Sequence, residues 1–210
     1  MKISYGVTVC DEAEELNSLL NFLLLNIDEN DEVIVLRDMT KTNMEVTELL
    51  VKYHKVFKHR MISLDFSLNG DFATFKNKLI EHASGDYLFQ IDADETPNQF
   101  LIENIKPILK VNSTVDCFYI PRVNKVNGLT PHHVEKWGWR VDEFERVNFP
   151  DPQMRLFRLG KDIKWKNKVH EVLDGYKTIA TLPFDDESFC LMHIKSIEKQ
   201  EKQNNFYNTL

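Results

Sequence analysis

Apolar positions along the first 112 residues switch between two periods. Short β-branched or unbroken apolar runs, ISYGVTVC (3–10), DEVIVL (31–36), HRMISLD (59–65) and YLFQI (87–91), predict four strands. Between them, residues 11–26, 43–56 and 72–83 carry apolar side chains at helical spacing. In the last of these, Phe72, Phe75, Leu79, Ile80 and Ala83 form one stripe. Asp11 and Glu14 stand where a capping box would start the first helix, and Gly85 falls where a left-handed helix stop belongs. A fourth helix is expected to begin near Pro97. Strands that are apolar on both faces and alternate with helices make a mostly parallel sheet flanked by helices. Such sheets bind ligands beyond the carboxyl ends of their strands.

After about residue 113 the pattern changes. VDCFYIPRVNKV (115–126), PQMRLFRL (152–159), IKWKN (163–167) and KTIATL (177–182) read as strands of a mixed or antiparallel region, with Asn127-Gly128 as a turn. Residues 194–207 are polar and predict a terminal helix. One domain over 1–210 is expected, with a first half (1–112) and a second half (113–210) that extends the same core. At 210 residues the chain can bury about 70% of the surface its unfolded form exposes.

Lys and Arg total 26 against 33 Asp and Glu, a net charge of −7, which speaks against capture of nucleic acid over the whole surface. One local exception is MRLFRLGKDIKWKNKVHE, with Arg155, Arg158, Lys161, Lys164, Lys166 and Lys168: a solvated strand face or an anion-binding patch. Cys10, Cys117 and Cys190 are widely spaced within apolar runs and include no CxxC, so zinc and a disulfide framework are both poorly supported. LLNFLLLNI is too short to span a bilayer. A reduced, cytoplasmic protein is expected.

The chemistry concentrates after the fourth strand, in IDADE. Asp92 and Asp94, two residues apart on extended backbone, project to one side with Cα atoms about 6.6 Å apart. Clustered carboxylates repel unless a cation joins them, and Mg²⁺ is commonly shared between a few carboxylates and substrate phosphates. Glu95, by contrast, suits the N-terminal end of the helix expected near Pro97.

Four segments together resemble the nucleotide-sugar glycosyltransferases of family 2, which have the GT-A (Rossmann-like) fold. These are GVTVCDEAEEL, DFATFKNKLIEHASGDYLFQIDADE, MRLFR followed by WKNKVHE, and LMHIKS. The third resembles a subgroup of lipopolysaccharide core enzymes. The resemblance implies an α/β fold with an acceptor-side extension and an Mn²⁺ or Mg²⁺ cofactor. It also implies transfer, with inversion, from a nucleotide-sugar donor, commonly a UDP-sugar, to a hydroxyl acceptor such as a surface saccharide. Asp94 would ligate the metal, Asp92 would face the metal or the donor ribose, and His193 would complete the metal shell. Lys76 would touch the diphosphate or the nucleotide. Asp38 would face the base, although RDMTKTN replaces the family's DSGSTD-like turn. Glu171 in VHEVLD would be the catalytic base, with His170 orienting it or binding diphosphate, and Asp142 and Glu143 as rivals. Trp137 and Trp139 offer flat faces for stacking a sugar or base, and Trp165 belongs to a sheet face. Glu12 resembles a nucleotide-side acid, but helix capping explains the acids at 11–15 without a ligand.

A hydroxylated DNA base or a protein side chain is the alternative acceptor, and a non-catalytic nucleotide-sugar-binding module the alternative class. A sugar-phosphate nucleotidyltransferase would carry a glycine-rich basic loop after the first strand, where this chain has CDEAEEL.

Overall fold

The four expected strands form as β1 (Ile3–Val9), β2 (Glu32–Asp38), β3 (Met61–Phe66) and β4 (Tyr87–Asp92), all parallel. The helices between and after them are α1 (Ala13–Asn26), α2 (Met44–Phe57), α3 (Phe72–His82) and α4 (Gln99–Val111), with a two-residue strand β5 (Thr96–Pro97) before α4. The computed structural model describes residues 1–41 and 43–207, so Thr42 of the RDMTKTN turn lies outside the described residues.

Alternation along each strand sorts the core. Tyr5, Val7, Val33, Val35, Phe89 and Ile91 face α1, α2 and α4, while Ile34, Leu36 and Leu88 face α3. The expected capping box does not form: Glu12 is the N-cap residue of α1 and its side chain makes no cap bond. Packing holds the helix instead. Leu16, Leu19, Leu20, Leu23 and Leu24 are all buried, each contributing roughly 1.5–3 kcal/mol, against about 1 kcal/mol for a cap. Gly85 is not left-handed either. It is needed because a Cβ there would lie 2.8 Å from the Ser4 backbone nitrogen and 2.9 Å from the Lys2 carbonyl oxygen.

The second half supplies β6 (Cys117–Ile120), β7 (Arg122–Asn127), α5 (Pro131–Trp137), β8 (Gln153–Arg158), β9 (Lys164–Lys166), β10 (Val172–Asp174), β11 (Ile179–Thr181), β12 (Leu191–Ser196) and α6 (Ile197–Tyr207). Three of these strands enter the main sheet, whose order is β11-β6-β8-β4-β1-β2-β3. β8 runs antiparallel to β4 and β6, so its first residues lie at the edge where β4 ends. β5, β12 and β7 form a second, three-stranded sheet. The run 115–126 is therefore two strands, parted at Pro121 and sent to different sheets. Gly128 (φ 84°) turns the chain after β7, but into α5 rather than a hairpin, because β7 pairs with β12 in parallel. α5 was not expected, although Pro131 at its first turn and left-handed Gly138 (φ 64°) after it are ordinary helix punctuation. Residues 194–196 are strand, not helix.

Among the described residues, no helix is long and apolar enough to cross a membrane. Burial pushes the Cys117 and Cys190 thiols up to about 12, which leaves them protonated at neutral pH.

A charged cleft at the carboxyl ends of the parallel strands

The ends of β1, β2 and β4 open on a cleft of about 770 Å³, closed on the far side by β7, β12 and the polar helix α6. Asp92 lies on its floor. Its Oδ1 accepts a hydrogen bond from the Thr8 hydroxyl on the neighbouring strand (2.7 Å), and its Oδ2 one from Arg155 on β8. Enclosure would push this carboxyl up, but Arg155 and then Lys76 hold it well below the usual carboxylate range. The side chain keeps 32% of its surface open. Each oxygen already has a protein partner.

Asp94 lines the same cleft. Its Oδ2 is 3.3 Å from His193 Nε2 and 3.2 Å from Lys195 Nζ. His193 and Lys195 are two apart on β12 and therefore share a face. His193 sits beside Asn124 of β7 in the parallel register, and its Nδ1 is 2.6 Å from Asn124 Oδ1. The Asn124 amide is oriented by its Nδ2, which donates to Asp151 Oδ2 at 2.6 Å. The Asn124 oxygen is thus the acceptor for a proton on His193 Nδ1, and Nε2 is turned on the Asp94 carboxylate. Burial opposes ionisation of Asp94, yet His193 and Lys195 bring its value down to about 2. Among the described residues no three His, Cys, Asp or Glu side chains converge as a complete ion cage.

Glu95 overturns the helix-capping expectation. It is fully buried and accepts from Arg122 (2.8 Å), Arg155 (2.7 Å) and the Asp92 backbone N–H (3.1 Å). Asn98, not Glu95, caps α4. The two arginines and the two acids form one network beneath the cleft, and sequence reasoning missed its members Arg122 and Arg155. Glu12 faces the cleft while its carboxylate gathers the N–H groups of Cys10 (2.8 Å) and Asp11 (3.1 Å). Burial raises its pKa.

Lys76 is buried rather than a helix-surface lysine. Its ammonium lies 4.9 Å over the Trp165 ring and forms an ion pair with Glu171. The β9–β10 hairpin that brings Trp165 and Glu171 here is docked by Asn77, whose amide bridges both the N–H (2.9 Å) and the carbonyl (3.0 Å) of Trp165. Asp38, ending β2, lines the cleft and through Oδ1 accepts from Thr40 N–H (2.8 Å) and Leu68 N–H (2.9 Å). Trp139 lines the cleft too. Trp137 does not: it packs against Trp139 (centroids 4.6 Å apart) and stacks on His133. His170 is exposed, left-handed (φ 55°) and off the cleft wall, contrary to the role expected for it. Asp142 folds its own loop, accepting from Phe144 N–H, Arg146 N–H and the Arg146 side chain, and neither it nor Glu143 lines the cleft.

Part of the basic run is answered inside the protein. Arg155 pairs with Asp92 and Glu95, Lys161 with Asp116, and Lys166 with Asp174, while Arg158 donates to the Ser113 carbonyl; Lys164 and Lys168 are exposed.

A mixed sheet with acids at the carboxyl ends of its parallel strands, and a second small sheet closing the cleft, is the GT-A class of fold. The chain belongs to glycosyl transferase family 2, whose description matches residues 4–197. It is 26% identical over 189 residues to the SPbeta prophage-derived glycosyltransferase SunS of Bacillus subtilis (strain 168), covering 87% of this chain and 37% of that protein. Among solved structures it is similar to S. aureus TarS 1–349 in complex with UDP-GlcNAc. There the TM-score is 0.62 and the identity 19%, over 93% of this chain and 59% of that one. The mannosyltransferase PcManGT from Pyrobaculum calidifontis, in complex with GDP-Man and Mn2+, gives a TM-score of 0.59 and 15% identity, over 90% of this chain and 56% of that one. The chain thus spans little more than a third of the SunS relative and under two thirds of these structures.

Proposed function

We propose that this cleft binds a nucleotide sugar and transfers its sugar to a hydroxyl acceptor approaching past Trp139. One observation carries the proposal: His193 Nε2 and an Asp94 carboxylate oxygen face each other at 3.3 Å. With no proton on Nε2, the nitrogen and the carboxylate are two ligands that one cation can share. One carboxylate oxygen and one imidazole nitrogen fit Mn²⁺, or Mg²⁺ with more of its shell left to water, the remaining positions being open to donor phosphates. Asp94 and His193 would hold the ion, which when bound would neutralise charge on the departing diphosphate.

The chain's own residues do the rest. Lys76, buried beside the floor, is the cation for the diphosphate. Asp38 and Glu12, at the ends of β2 and β1, face the nucleoside. Glu171 is the base that takes the acceptor proton in an inverting transfer. In the free cleft its carboxylate pairs with Lys76. The structures of relatives carrying UDP-GlcNAc, or GDP-Man with Mn2+, support a sugar nucleotide as donor. Trp139 supplies an apolar face for a saccharide acceptor, and the net charge of −7 disfavours a nucleic acid.

The test is a thermal-unfolding series with UDP, Mn²⁺ and both. A ligand at about 100 times its Kd adds roughly 2.7 kcal/mol, or about 5–11 °C for a chain of this size. UDP with Mn²⁺ should give that shift in the wild type and not in Asp94→Asn. An equal shift in the variant overturns the assignment.

A further inference from the structure

The carboxylate assigned to the metal is already in contact with a cation. Lys195 Nζ is 3.2 Å from Asp94 Oδ2, the same oxygen that His193 approaches. The ammonium is held there deliberately enough to be a built contact: its side chain is only 8% exposed, and it also donates to Gln203 Oε1 of α6 at 2.7 Å. Glu12 and Asp94 line the same cleft, so without Lys195 the two acids would repel across it. A divalent ion at Asp94 beside an undisplaced ammonium meets the repulsion of that second cation, which weakens its binding.

We propose that Lys195 is an exchangeable counter-ion. It guards Asp94 while the cleft is empty, and it moves to the donor diphosphate when nucleotide and metal arrive together. This rests on the donor-and-metal reading above and adds to it a binding order. Metal alone must expel Lys195 with nothing to receive it. A diphosphate alone draws Lys195 away and leaves Asp94 uncompensated. Only the pair satisfies every charge, so each ligand favours the other by the same factor. The α6 helix is drawn in because Gln203 is the second partner Lys195 must release or carry.

The experiment measures Mn²⁺ affinity of nucleotide-free protein by calorimetry and by the loss of free-ion EPR signal, in the wild type, Lys195→Met, Lys195→Gln, Lys195→Arg and Gln203→Ala. Removing the ammonium should tighten Mn²⁺ binding about tenfold or more, within the usual range of coupling factors. It should also weaken UDP binding in EDTA. Lys195→Arg, which keeps the charge, should leave Mn²⁺ binding as weak as in the wild type. Unchanged or weaker Mn²⁺ binding in both neutral variants overturns the proposal. So does a gain equally large in Gln203→Ala, which would trace the effect to α6. If Lys195→Met does not fold, Lys195→Gln decides. Wild-type protein whose UDP affinity ignores Mn²⁺ would instead sink the donor-and-metal reading, and that arm is read separately from the lysine variants.

Discussion

Replacing Arg155 by Met tests the network under the cleft floor. The Arg155 side chain is 5% exposed and joins Asp92 to Glu95, which is 0% exposed. Removing one partner of a buried ionic group costs about 3–5 kcal/mol, because the carboxylates stay behind without it. Here the loss falls at the low end. Glu95 keeps Arg122 at 2.8 Å and the Asp92 N–H at 3.1 Å, and Asp92 keeps the Thr8 hydroxyl at 2.7 Å. Met also fills much of the vacated volume. We predict a loss of about 3 kcal/mol in urea unfolding at pH 7, or roughly 6–12 °C in Tm. The pH dependence follows from the direction of the Asp92 shift. A carboxyl held below its unfolded value contributes stability above about pH 4, and this is lost as pH falls toward the folded value. Without Arg155 that contribution shrinks, so the gap between wild type and variant should stay level down to about pH 4 and narrow below it. Adding Glu95→Gln to the variant should recover part of the loss at neutral pH, since it removes a stranded charge. A single variant within 1 kcal/mol of the wild type at pH 7 would refute the reasoning.

Glu171→Gln frees Lys76 and should keep or tighten UDP affinity while cutting turnover about 10²–10⁴-fold, the usual share of a general base; nucleoside diphosphate release at the full wild-type rate removes Glu171 from the role. Asn124→Leu takes away the acceptor that orients His193, and Mn²⁺ affinity in the presence of UDP should drop about 10–100-fold by calorimetry. A wild-type value would mean the imidazole needs no such partner. Asp116 accepts from Lys161 and from the Lys177 and Thr178 N–H groups, and its value falls to about 2. Asp116→Asn should therefore cost stability at pH 6, and the difference should fade between about pH 4 and pH 2; a flat difference across that range contradicts it. Gly85→Ala drives a methyl against the Ser4 and Lys2 backbone. It should cost about 1–3 kcal/mol in urea unfolding, and no loss would mean the two strands part freely there.

What could be read along the chain was whatever burial writes into local pattern. β1, β2 and β4 are buried on both faces and so appear as unbroken apolar runs, and the acids after β4 stand out because nothing in a strand end requires them. The meaning of those acids was less accessible, since it depends on partners distant in sequence. Glu95 looked like a helix cap because Pro97 is near; its real partners, Arg122 and Arg155, are 27 and 60 residues away and arrive on β7 and β8. The burial of Lys76 leaves no local trace either, because its partner Glu171 comes 95 residues later. Lys195 carried no signal at all, as one lysine in LMHIKS is an ordinary strand residue until β12 is laid beside β7 and Asp94 is brought to its end. The same logic explains why the basic run misled. Its charges are real, but Asp92, Glu95, Asp116 and Asp174 meet Arg155, Lys161 and Lys166 in the fold. A charge that is already answered inside the protein offers little to an outside anion. The lysines that remain of interest are therefore the two whose present partners, Glu171 and Asp94, are themselves the groups a transfer reaction would need released.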